Sequence, residues 1–221
     1  MRVADKLSLI LAALLSGCGN TPPIPDWQLN AHGAFERAQQ AWLVGNTRVA
    51  EVEYTRARIE LGSTARVDLL ARFELARCAA RVASLQFEPC AGFDALAADA
   101  PPPERAYAAY LAGRAAAPEA ALLAEPHRSA TVHGSLAPVD AATLASEQAL
   151  ARLVAIAVLL QTGKASPALI AAAVDSASAQ GWRRPLLAWL GVQVQRAEQA
   201  GDKEEAERVR RRMGLLGPGK S

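Results

Sequence analysis

Histidines, cysteines and paired acids carry much of hydrolytic and metal chemistry, and this chain of 221 residues holds three histidines, His32, His127 and His133, and three cysteines, Cys18, Cys78 and Cys90. His127 and His133 share a proline-bearing stretch with Glu125, but no other Cys, Asp or Glu stands at a tight ligand spacing. The histidines therefore read as polar surface residues, and no metal site is expected. A serine nucleophile elbow needs Gly-x-Ser-x-Gly after a strand, and a phosphate loop needs a glycine-rich turn after a strand; the sequence offers neither. Two acids distant in sequence can still meet across a glycosidic bond. Glu51, Glu53, Glu60 and Glu74, however, fall on helical faces among arginines, where solvated ion pairing is the ordinary state. No catalytic residue and no cofactor follow from these patterns. The formal charge of +2 is close to balance and gives no reason to invoke nucleic acid.

The elements that must position any site are helical. From Trp27 onward the chain is rich in Ala, Leu, Arg and Glu and shows no alternating β-branched stretch, so an all-α domain over residues 27–216 is expected. The first helices are expected near 27–44 and 47–61, broken at Gly45-Asn46, with Ala50, Tyr54, Ala57 and Leu61 on one apolar stripe. A helix near 64–85 turns Leu69, Phe73, Ala76, Ala80 and Ala83 inward; a short one near 91–98 and one opening at Pro103 or Glu104, carrying Tyr107, Tyr110 and Leu111 inward, follow. Residues 117–138, with Pro118, Pro126, Gly134 and Pro138, are expected to form an irregular loop. Order returns with helices from Asp140 to Thr162, from Ser166-Pro167, near 185–200 and near 202–215. The last buries Ala206, Val209 and Met213 and pairs Glu204 with Arg208 and Glu207 with Arg211 at i,i+4 spacing, before a tail over 217–221 that frays. Trp42, Trp182 and Trp189 are expected to fill seams between helices, with Trp27 more exposed.

Three turns share one arrangement: Ala41, Gly45 and Ala50; Leu159, Gly163 and Ala168; Ala197, Gly201 and Ala206. A tight turn between antiparallel helices needs Gly where the chain leaves the first helix and a small residue where the second crosses it. The arrangement resembles the tetratricopeptide repeat, most fully in the first copy, where Ala38, Tyr54 and Ala57 also match the family's small and aromatic positions. Alanine-rich hairpins of no particular family share the same Gly-then-Ala order. The resemblance implies antiparallel helix hairpins stacked as a short solenoid, whose groove binds peptides or partner proteins. In such a groove Arg37, Arg48, Arg56, Arg72, Arg183 and Arg184 are candidates to clamp an acidic or carboxylate-bearing ligand.

At the other end of the chain, Arg2 and Lys6 precede an apolar run from Leu7 to Leu15 that is too short to span a bilayer and closes on Leu15-Ser16-Gly17-Cys18. This resembles a bacterial lipobox. The resemblance implies that residues 1–17 are a signal peptide, that Cys18 carries a thioether-linked diacylglycerol and an acylated amino terminus, and that 18–26, with Pro22, Pro23 and Pro25, form a lipid anchor and semi-rigid spacer. Several acyl chains, at about 0.8 kcal/mol per buried methylene, make a stable tether. Gly19 and Asn20 do not match the family's inner-membrane retention signal, which implies the periplasmic face of the outer membrane. With Cys18 acylated, Cys78 and Cys90 remain as a pair in an oxidising compartment, and a disulfide between them, stabilising by about 3 kcal/mol, is expected; two separate buried thiols are the alternative. Together these readings lead to a membrane-anchored, non-catalytic scaffold or adaptor with a protein partner in envelope assembly, peptidoglycan synthesis or secretion. A helical peptidoglycan-acting hydrolase and a pilot lipoprotein for one secretion-system subunit are the alternatives.

Overall fold

The computed structural model describes residues 23–132, 135–145 and 148–217. The lipobox with Cys18, and His133, lie outside the described residues. The described chain is almost wholly helical: α1 Asp26–Val44, α2 Thr47–Gly62, α3 Val67–Ala83, α4 Ala91–Asp94, α5 Pro102–Leu111, α6 Ala117–Ala120, α7 Glu125–Arg128, α8 Ala149–Gln161, α9 Pro167–Ala179, α10 Arg183–Gln199 and α11 Lys203–Gly214. The all-α expectation holds. Among the described residues no helix is long and apolar enough to cross a membrane.

Helix α3 is the hub. Its alanines 71, 79, 80 and 83 are all buried, and their small side chains let α1, α2, α5 and α8 approach it closely. Beyond Arg152, helix α8 is apolar on every side until Gln161, as a helix enclosed by others must be; Leu153 to Leu159 are buried without interruption. One apolar cluster joins α3, α8, α9 and α10, and a smaller one joins α1, α2 and α3, with Leu150 and Trp182 packed against both. Consecutive hairpins pack as expected, α1 on α2 and α9, α10 and α11 in series, but α10 also packs on α1. In a solenoid each unit touches only its neighbours. The α1–α10 seam, where Arg184 Nε donates to Trp42 O at 2.7 Å, joins distant parts of the chain, so stacking as a solenoid is not established.

The shared turns are built as their chemistry requires, with one correction. Gly45, Gly163 and Gly201 all take positive φ, at 97°, 70° and 76°, where an L side chain is strained. Asn46, Ser166 and Asp202 then cap the following helices, each side chain accepting from the backbone N–H three residues on. Ala50 and Ala206, at the fourth helical position, are fully buried against the preceding helix. Ala168 is not; it is exposed. The second turn runs two residues longer before its cap, so Ala168 falls at the second helical position and Ile170 occupies the buried fourth. Ala168→Lys is accordingly expected to change stability by no more than about 0.5 kcal/mol, whereas Ala206→Leu overpacks the seam and costs about 2 kcal/mol, both measurable by urea denaturation.

The expected helix from Asp140 is also corrected. Residues Ala141–Leu144 form a single 3-10 turn, and α8 starts only at Ala149. Arg152 is the reason: its Nε donates to Leu144 O at 2.8 Å and its guanidinium also reaches Ala145 O, occupying carbonyls that a continuous helix would use. The stretch 117–138 holds more order than a loop, with α6, α7 and a two-residue antiparallel strand pair, Thr131–Val132 with Ser135–Leu136, pinned by buried Leu123 and Ala130. On α11 the i,i+4 pairs do not form. Arg208 pairs with Glu205, and Arg210 with Glu207 and across the seam with Glu198 of α10.

Cys78 of α3 and Cys90, at the N-cap of α4, form a disulfide with Cα atoms 5.8 Å apart. It holds α4 against α3 so closely that a side chain at Gly92 would collide with the Glu74 carboxylate. Buried Phe93 fills the same seam.

Candidate functional site

A cavity of about 530 Å³ opens between α3, α5, α7 and α8. Helix α3 contributes Arg72, Leu75, Ala76 and Ala79, a single stripe at helical spacing, and α8 contributes Leu150, Ala151 and Val154 from its first turns. The segment between α6 and α7 closes one side with Leu122 and Leu123, and His127 projects from α7 itself. Proline builds the remaining wall: Pro102 and Pro103 open α5 where backbone N–H groups have no intrahelical partner, and Pro103, Glu104 and Tyr107 line the space. A second depression of about 450 Å³, walled by Trp27, Phe35 and Leu69, shares Arg72 and Ala76 with the first. The two therefore meet around one arginine.

Glu104 is only 4% exposed, and its Oε1 accepts from Arg72 Nε at 2.5 Å. Its Oε2 is buried and has no hydrogen-bond partner among the described residues. His127 sets its ring at a tilt against Tyr107 and Tyr110, with centroids 4.7 and 5.2 Å away, and its Nδ1 is likewise buried without a partner among the described residues. The expectation of a polar surface histidine fails here, because α7 folds back over α5 and places the ring against two tyrosines. Burial pushes the His127 pKa down to about 4 from 6.5, since a protonated imidazole would sit where little water reaches it. Burial likewise raises the Tyr107 phenol. At neutral pH the cavity thus presents an uncharged imidazole, an uncharged phenol and one carboxylate–guanidinium pair.

The His127 shift fixes a sign. The folded state binds fewer protons than the unfolded one between pH 6.5 and about 4, so the stability is intact above 6.5 and falls as pH drops through that window. The loss is at most about 3 kcal/mol, less for the part of the ring that water reaches. His127→Phe, which keeps the ring and removes the titration, is expected to flatten the denaturation midpoint between pH 6.5 and 4.

The arginines nominated from sequence are mostly committed inside the protein. Arg37 and Arg56 both donate to Glu53, at 3.0 and 2.9 Å, Arg72 holds Glu104, Arg183 donates to Leu216 O at 3.1 Å, and Arg184 holds Trp42 O and Thr47 Oγ1 while lying 3.9 Å over the Trp42 ring. Arg48 is exposed on α2, away from the cavity lining. Of the six, Arg72 alone lines the cavity. For two of the four glutamates the expectation of solvated pairing is corrected: Glu53 and Glu74 are buried, with Arg58 holding Glu74 at 2.5 Å, whereas Glu51, 43% exposed, pairs with Arg77 and Arg81 as expected. In the pairs of Glu53, Glu74 and Glu104 a buried carboxylate therefore meets a guanidinium that stays largely exposed. Glu104 has no arginine three or four residues away, and its partner Arg72 stands 32 positions back on another helix, which is why periodicity missed it. The Pro-Pro-Pro-Glu start of α5 was its one sequence signal.

Among the described residues no group of three His, Cys, Asp or Glu side chains converges to hold a metal ion. Neither a protein-family model, nor a curated protein, nor a solved structure matches the chain.

Proposed function

We propose that this chain is a lipid-anchored envelope protein at the periplasmic face of the outer membrane, acting as a non-catalytic adaptor that seats a segment of a partner protein in the groove around Arg72. The observation that supports it is the pair of depressions meeting at Arg72 and Ala76, a continuous concave surface with more apolar than polar wall, the form in which helical proteins receive partner segments. Trp27 lies on the same groove. Carboxylate-pair hydrolysis is the weaker reading. It needs two acids facing one bond, and Glu104 is the one acid on the cavity lining among the described residues.

A photo-crosslinking side chain at Leu122, 44% exposed on the rim, tests the adaptor reading in intact envelopes. A discrete adduct that is absent when the same group replaces Arg208 on the remote helix α11 supports it. No adduct, or the same adducts from both positions, overturns it. Cys18→Ala is expected to move the protein from the membrane fraction to the soluble periplasm with its helical circular dichroism unchanged.

A further inference from the structure

From the exposed arginine at the junction of the two depressions, we infer that the partner segment carries an aspartate or glutamate inside an apolar stretch. Its carboxylate meets the outer edge of the Arg72 guanidinium, and its apolar neighbours fill the depressions on either side. The inference rests on the groove being the adaptor's docking site.

The Arg72 side chain is 65% exposed, and its Nε donates to Glu104 Oε1 at 2.5 Å, whereas its terminal nitrogens have no hydrogen-bond partner among the described residues. The enclosed Glu104 carboxylate thus holds one edge of the planar guanidinium and leaves the outer fork, which matches a carboxylate with two parallel bonds, facing the groove. The other charged side chains on the described walls are already engaged: Arg66 holds Asp68 at 2.6 Å, and His32 stands 3.3 Å from Glu36. Gln39 and Gln148 share the first depression with Arg72, and each amide can add a donor to a carboxylate or meet a peptide group. The first turn of α8 opens onto the same space through Leu150 and Ala151, and Gln148 at its N-cap makes no capping bond, so the N–H groups there add positive potential. A carboxylate at Arg72 stays near water and is spared most of the desolvation that offsets the gain of a buried pair. Helix phase places the acid within the segment. Along α3, Leu69 and Phe73 face the second depression, Leu75 and Ala79 face the first, and Arg72 and Ala76 form the row between them. A chain that ended in its own carboxylate at Arg72 would fill one depression and leave the other open, whereas a side-chain carboxylate lets the segment run through both. Leu123 and Val154 on one side, and Trp27 and Phe35 on the other, then receive its apolar neighbours.

The test selects a displayed library of short random peptides on the purified full chain at pH 7. The enriched peptides are expected to hold an aspartate or glutamate with large apolar residues on both sides of it. The best of them, made with an amidated carboxyl terminus, should bind about tenfold tighter than its copy in which the acid is replaced by the matching amide. That factor is at the low end for a bond to a charged group, because Glu104 offsets part of the arginine's charge. Two variants tie the preference to Arg72, with helical circular dichroism reporting that each is folded. Ala76→Glu, at a half-buried position one turn on, sets a competing acid beside the guanidinium while Glu104 keeps its bond, and should weaken the acidic peptide about tenfold or more. Arg72→Gln combined with Glu104→Gln removes the positive charge without leaving a buried carboxylate unpaired, and should make the acidic and amide peptides bind equally. No enrichment, enriched peptides without an acid or with apolar residues on one side of it only, equal binding of the acidic and amide peptides to the unmodified chain, or an acid preference that survives the double substitution would each overturn the inference. Such a failure with the Leu122 adduct still present would leave the adaptor reading standing. An acid preference without any Leu122 adduct would overturn the adaptor reading and with it the assignment of the carboxylate to a protein partner.

Discussion

Replacement of Trp189 by alanine is expected to destabilise the protein by about 4 kcal/mol, seen as a fall in the urea midpoint with little change in the slope of the transition. Trp189 is among the largest fully buried side chains, and it stands in α10 where that helix meets α3. Its Nε1 donates to Ala83 O at 3.1 Å, one of the last carbonyls of α3, which have no partner within their own helix. Removal of the indole therefore leaves both a large void and an unsatisfied buried acceptor, two costs that add. Trp189→Phe separates them: most of the packing stays, the hydrogen bond is lost, and a loss of about 1 to 2 kcal/mol is expected. A Trp189→Ala effect no larger than that of an exposed substitution would show that the α3–α10 seam does not hold the fold together.

Removal of the Cys78–Cys90 disulfide, as the Cys78→Ala, Cys90→Ala double variant, is expected to cost about 3 kcal/mol. The bond joins residues 12 apart, and much of its effect falls on the unfolded chain, which becomes free to expand once the link is cut. The signature differs from that of Trp189→Ala, because a more expanded unfolded state raises the slope of the urea transition as well as lowering its midpoint. Within the folded protein the bond anchors α4, whose Phe93 packs into the main core and whose Gly92 passes against the Glu74 carboxylate. Ala79, the next residue after Cys78, lines the cavity, so loss of the bond should loosen one wall of the site. Stability and slope unchanged from the wild type would show that the link contributes nothing in solution.

How much of this was legible beforehand depended on the range of the interaction. The breaks at Gly45, Gly163 and Gly201, the cap Ser166, and the helices they bound were readable because each rests on residues within four positions of one another. Even there, two extra residues before Ser166 moved the buried position from Ala168 to Ile170, since helix phase counts from the cap and not from the glycine. The helix expected from Asp140 failed for a longer-range reason: Arg152, eight residues on, takes the carbonyl of Leu144.

The site was the least legible part. It gathers residues from Gln39 to Val154, and its properties come from enclosure, which no window of sequence contains. With no further ligand at tight spacing His127 reads from sequence as a polar surface residue; packing on Tyr107 and Tyr110 makes it a neutral, desolvated group instead. Arg72 reads from sequence as ligand-facing, yet its direct partner is Glu104, 32 positions away, which the sequence marks only as a helix start.

By itself, then, the sequence determined the helical class, the turns and their caps, and the cysteine pair that forms the disulfide, because backbone hydrogen bonding and helix capping are decided among near neighbours. Only the tertiary structure decided which glutamates are buried, which arginines are spent on them, and where the cavity lies. Desolvation is the physical reason: whether a side chain keeps its water depends on what other helices lay over it, and α1, α5, α7 and α8 come together around Arg72 only when the chain is folded.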